Sequence, residues 1–162
     1  MKVEQTTKIT TPTDRTIAIT RTFDAPRALV WEAITKPELL RRWLLGPPGS
    51  SMMVCEEDHR VPGSFRYVWR GRRRAEMSMR GVYRQFVPCE RMVRTEAFEV
   101  GGEAQGEKLS TLVLADRGHQ TLVTLTMLFP SREARDAAIV QGATPNYDRL
   151  DELLTYPTPG GL

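Results

Sequence analysis

The chain has 162 residues, 40% of them apolar and 27% charged, with a formal net charge of +3. That length suits one domain with its own hydrophobic core and excludes the need for a metal or disulfide staple. The positive charge is slight and gathered in the arginine-rich stretch 69–80, which reads as a solvated hairpin tip rather than a nucleic-acid surface.

Residues 1–14 are polar, rich in threonine and lysine, and read as a flexible N-terminal arm without the apolar segment of a leader. The alternation in RTIAITRTF predicts a half-buried strand with Ile17, Ile19 and Phe23 on one face. Arg21 interrupts that face and calls for a rim position or a carboxylate partner. Asp24 is a candidate helix cap and Pro26 suits a first turn. Leu29, Val30, Ala33 and Ile34 then recur at helical spacing, and a second short helix carries Leu39, Leu40, Trp43 and Leu44 along one side. Gly46-Pro47-Pro48-Gly49 ends it.

About six strands follow: SSMMVCEED, RVPGSFRYVWR, RRRAEMSMRGVYRQFVP, RMVRTEAFEV, and two more joined by the tight turn Asp116-Arg117-Gly118-His119. GGEAQGE reads as a glycine-rich turn between the fourth and fifth of these. Short connections imply an antiparallel meander. Ser131 opens a charged helical stretch that Gly142 and Pro145 interrupt. The pattern resumes with Tyr147, Leu150, Leu153 and Leu154 on one face, and residues 156–162 form a C-terminal tail. One domain, residues 15–155, is expected. A long antiparallel sheet with a terminal helix buries the apolar face of that helix, and the two short helices cover an end. A single helix does not fill so curved a sheet, so a cavity is expected between them.

The segments RTFDAPRALVWEAITKPELLRRWLLGPPG, DHRVPGSFRYVW, RGVYRQFVPCERMVRTEAF, STLVLADRGHQTLVTLTMLF and GATPNYDRLDELL resemble the family of activators of heat-shock-protein-90 ATPase homologues. That family lies within the START-like, birch-pollen-allergen-like and polyketide-cyclase-like superfamily. The resemblance covers residues 15–154, and its most specific piece is F-D-A-P-R-x-x-V-W-x-A-x-T-x-P-E-x-L-x-x-W. It implies an α+β helix-grip fold: a curved seven-stranded antiparallel sheet around a long C-terminal helix, with a cavity between. Two departures stand out. Pro62-Gly63 replaces paired glycines and removes a backbone donor. Gly142 to Tyr147 replaces a glycine followed by tryptophan, so a kink at Pro145 reshapes the cavity.

No residue set prescribes a reaction. Nucleophile-elbow, dinucleotide and phosphate-loop patterns are absent. Cys55, Glu57 and His59 share one strand face, but the favoured reading is a solvated acidic strand end that meets the arginine cluster. Cys55 and Cys89 fit no framework, and Cys55 reads as a small buried apolar residue. Glu96, Glu99 and Asp58 become candidate general bases only if buried. The expected cavity wall combines aromatic groups with adaptable methionine: Trp43, Tyr67, Trp69, Met79, Phe98 and Tyr147. Trp43 is placed at the mouth and Trp31 in the core. The expected activity is binding of an apolar, lipid-like or polyketide-like molecule in a cytoplasmic protein, monomeric or homodimeric. Neither cofactor, metal, nucleic acid nor membrane span is expected. The alternatives are a co-chaperone-like interaction module and a cyclase- or hydratase-type enzyme using a cavity carboxylate.

Overall fold

A computed structural model describes residues 6–72, 75–142 and 144–155. Its strands are β1 (Lys8–Thr10), β2 (Thr16–Phe23), β3 (Ser50–Glu57), β4 (Ser64–Gly71), β5 (Met77–Val87), β6 (Arg91–Val100), β7 (Glu103–Arg117) and β8 (Gln120–Leu128). Its helices are α1 (Arg27–Thr35), α2 (Pro37–Trp43), α3 (Arg132–Val140) and α4 (Tyr147–Thr155). The strands form one antiparallel sheet in the order β1-β2-β8-β7-β6-β5-β4-β3. Among the described residues no helix is long and apolar enough to cross a membrane.

The α+β helix-grip class is the expected one, and two of its details differ. The sheet has eight strands rather than seven, because Lys8–Thr10, expected within the arm, pairs with Thr20 to Ala18 of β2. The C-terminal helix is not one long element but two of nine residues each, α3 and α4. Gly142 in the left-handed region (φ +76°) closes the first, and Pro145 precedes the second. The expected tail lies outside the described residues.

Local chemistry accounts for most boundaries. The Ser131 hydroxyl accepts a hydrogen bond from the Ala134 amide at 3.0 Å and caps α3. Asp24 does not cap α1; Pro26 takes the N-cap position with extended backbone and no side-chain bond. The expected glycine-rich turn shrinks to Gly101 and Gly102, both at positive φ, and β7 begins at Glu103.

The inner face of β2 carries Ile17, Ile19, Arg21 and Phe23, all buried. Arg21 is held by Asp148 and Asp151 on α4, so the interrupting charge is the tie between strand and helix. Tyr147 of α4 packs edge-on to Phe23 with centroids 5.4 Å apart, and Leu150 and Leu153 bury beside it. Such an aromatic pair contributes about 0.5–1.5 kcal/mol beyond its area. The helix α4 also leans on α1 and α2.

Candidate functional site

A partly open cavity of about 300 Å³ lies between the inner face of the sheet and the helices α1, α2 and α4. The helices supply Ile34, Leu40, Trp43 and Tyr147 to its wall. The sheet supplies Tyr67 and Trp69 from β4, Met79 from β5, and Met92, Leu112, Leu125 and Met127 from β6 to β8. Two indoles are fixed by backbone carbonyls: Trp43 Nε1 donates to Ala33 and Trp69 Nε1 to Leu44, each at 2.8 Å. The side chain of Asn146, in the linker before α4, accepts from the amides of Leu45 and Gly46, both at 3.2 Å. That bond joins the two segments on either side of the cavity, the end of α2 and the start of α4. Gly46 has φ +73°, and a Cβ there would sit 3.4 Å from the Trp69 ring.

One end of the cavity is polar. Arg94, Glu96, Lys108 and Ser110 enter its wall from neighbouring positions of β6 and β7. Arg94 Nε donates to Glu96 Oε2 at 2.9 Å, Ser110 Oγ donates to Glu96 Oε1 at 2.7 Å, and Lys108 Nζ stands 3.3 Å from the same oxygen. Arg94 Nη1 donates to the hydroxyls of Tyr67 (2.9 Å) and Tyr83 (3.3 Å). Those hydroxyls in turn donate to the two oxygens of Glu57, whose side chain is only 2% exposed. His59 Nε2 lies 3.2 Å from Glu57, and its ring stacks on Phe86 with centroids 5.1 Å apart. The Arg94 guanidinium covers the Phe65 ring at 3.9 Å, a cation–π contact that strengthens as water is excluded. Two carboxylates and one guanidinium are thus buried with their hydrogen-bonding capacity matched, the condition under which buried charge is tolerated.

Burial works against the ionised form of Glu96, but Arg94 and Lys108, with the Ser110 and Arg94 hydrogen bonds, hold its carboxyl below the ordinary carboxylate value. Burial pushes the phenols of Tyr67 and Tyr83 up, Arg94 opposing it in both. Tyr147 is raised by burial and then by Glu96. All three phenols therefore keep their proton and stay hydrogen-bond donors. Burial, then Glu57, pushes the Cys55 thiol up to about 11, so it is not an activated nucleophile.

Of the residues expected in the wall, Trp43, Tyr67, Trp69, Met79 and Tyr147 line the cavity and Phe98 does not. Phe98 packs against the core, at a place where β6 and β7 shift register between Ala97 and Glu99. Trp43 is only 4% exposed and walls the interior; the exposed rim is formed by Gly142 and Thr144. The acidic strand end expected to be solvated is only half so. Glu56 faces Arg66 on the surface, whereas Glu57 is buried in the tyrosine–arginine cluster. Among the three candidate bases, Glu96 reaches the cavity, Glu99 pairs with Arg80, and Asp58 pairs with the exposed Arg60. Arg94, Lys108 and Ser110 carried no signal of their own in sequence. Their mark is the polar break they make in the inward faces of β6 and β7. No group of three or more histidine, cysteine, aspartate and glutamate side chains among the described residues is arranged to hold a metal ion.

A family model described as "Activator of Hsp90 ATPase homolog 1-like protein" matches residues 24–155. No significant match to the chain was found among curated proteins. Solved structures are similar over almost the whole chain. A crystal structure of a protein from Rhodobacter sphaeroides superposes with a TM-score of 0.83 at 26% identity, covering 94% of this chain and 99% of that one. A solution structure of a protein from Staphylococcus epidermidis gives 0.76 at 25% identity, covering 92% and 94%. A crystal structure of a protein from Mycobacterium smegmatis gives 0.78 at 20% identity, covering 91% and 96%, a likeness of fold.

Proposed function

The chain belongs to the activator of Hsp90 ATPase homolog 1-like family, and from that premise we propose that it binds an apolar small molecule in the cavity between sheet and helices. The observation that carries this reading is the cavity itself: about 300 Å³, walled mainly by aromatic, aliphatic and methionine side chains, with a polar cluster at one end. That volume stands at the lower end of small-molecule sites, and the composition of the wall is theirs. Burial of the ligand's apolar surface supplies affinity at ~25 cal/mol per Å², and the polar end sets its orientation. Methionines from three strands let the wall adjust to the occupant's shape.

A reading as a carboxylate-dependent enzyme gains nothing from Glu96. A general base works best with a pKa raised toward the working pH, and Glu96 is displaced the other way, with both oxygens occupied. The test is native mass spectrometry of the purified protein, with extraction and identification of any co-purifying molecule. The expected result is a displaceable apolar occupant at one per chain. A protein that neither carries such a molecule nor takes one up from a mixed panel of ring compounds overturns the proposal.

A further inference from the structure

The buried polar side chains in the cavity wall are engaged with one another, with one exception. Glu96 is shared by Arg94, Ser110 and Lys108, and Tyr67 donates to Glu57 while accepting from Arg94. Tyr147 is the exception. It is 3% exposed and lines the cavity, and among the described residues its hydroxyl has no hydrogen-bond partner, although its ring is fixed by Phe23 and Trp43. Its oxygen is not among the buried side-chain atoms left without a partner, so it is open to the cavity, where a ligand acceptor can take the place of water.

We propose that the cavity selects an uncharged, ring-sized apolar molecule carrying one hydrogen-bond-accepting oxygen, a ketone, ester or ether, and that the Tyr147 hydroxyl donates to that oxygen. The inference rests on the cavity-binding reading above and adds the chemical class of the ligand.

Charge fixes the word uncharged. The polar end holds Arg94 and Lys108 against Glu57 and Glu96, two cations and two anions already matched in contact. A ligand carboxylate brought beside Glu96 would be buried without a free cation to receive it and would be repelled. The phenol of Tyr147, raised by burial and Glu96, remains a donor at neutral pH.

Size fixes the word ring. A cavity of ~150 Å³ holds one benzene, so the present volume of about 300 Å³ takes a fused pair of rings. A two-chain lipid is too large for it.

Three probes of one size separate these terms: tetralin, tetralone and tetralin carboxylate, titrated into the whole chain and followed by calorimetry and by the methyl signals of Met79, Met92 and Met127. Tetralone is expected to bind on the order of tenfold tighter than tetralin, the value of one hydrogen bond. The carboxylate is expected to bind weakest. In Tyr147→Phe, which keeps both ring contacts and breaks no bond within the protein, tetralin affinity stays as it was and the preference for tetralone disappears. Equal binding of tetralin and tetralone to the unaltered protein, or a preference that survives in Tyr147→Phe, overturns the role of Tyr147 and leaves the cavity reading standing. A carboxylate that binds tightest overturns the uncharged class. Failure of all three to bind overturns the cavity reading and this inference together.

Discussion

Arg94 holds the polar end of the cavity by reaching in two directions, to Glu96 and to the hydroxyls of Tyr67 and Tyr83 that clasp Glu57. Its effect on Glu96 has a consequence for acid stability. The Glu96 carboxyl is depressed below 4.5 in the folded chain. A depressed carboxyl binds fewer protons folded than unfolded, so its contribution is complete above the unfolded pKa and is lost as pH falls through the folded one. The free energy of unfolding should therefore decline as pH drops below 4.5. In Glu96→Gln that part of the decline should be missing, and near neutrality the variant should lose about 1–3 kcal/mol of stability. Urea unfolding at a series of pH values measures both. A variant whose acid profile runs parallel to that of the unaltered protein would show that Glu96 carries no such linkage.

The elements show which parts of the structure were legible from residue order and which were not. Strand β2 was plain, because its alternation runs unbroken and Ile17, Ile19 and Phe23 point inward as the period demands. Strand β3 was not. Its ladder with β4 shifts between Met52 and Val54, and after the shift Cys55 and Glu57 face inward. A strict alternation from the inward Met52 would have put Val54 and Glu56 there instead. One extra residue exchanges the faces of all that follow. Glu57 keeps the face of the buried Cys55, as the alternation from Cys55 predicts, and what residue order did not show is that two tyrosines and Arg94 take up its charge. Phe98, expected in the wall, stands beside a similar irregularity on β6 and packs against the core.

The helices divide in the same way. The break at Gly142 and Pro145 was legible because it rests on backbone chemistry alone, whereas the pairing of Lys8–Thr10 depends on a free edge that only the assembled sheet offers. Gly81 on β5 tests how closely these strands approach. A Cβ there would lie 1.7 Å from the Thr95 carbonyl oxygen and 2.8 Å from the Phe65 ring that Arg94 covers. Since the nearer obstacle is backbone, relief means parting β5 from β6. Gly81→Ala should cost about 1–3 kcal/mol by overpacking, read as a lower urea midpoint. A midpoint equal to that of the unaltered protein would mean that the two strands have slack at this position.

At the scale of the molecule, the strand order places β1 and β3 at opposite edges, and the connection from β2 to β3 crosses the end of the sheet as α1 and α2. The terminal helix is divided, so α4 fills only the part of the inner face reached by Tyr147, Leu150 and Leu153. What remains is the cavity, and an unfilled space of about 300 Å³ is expensive. Side chains around it forgo contacts that a solid core would make, less so where the opening admits solvent. A fold that tolerates such a deficit can be stabilised by filling it. Leu125 stands in the cavity wall on β8 and is not fully buried, so a larger side chain there can enter the space. Leu125→Trp should therefore raise stability by about 0.5–2 kcal/mol while lowering tetralone affinity tenfold or more, because the indole takes the volume that the ligand needs. Thermal unfolding and calorimetric titration on the same sample read the two effects, which move in opposite directions if the ligand occupies the empty space. A Leu125→Trp protein that is less stable and still binds tetralone as before would place the ligand elsewhere and leave the cavity a defect of packing.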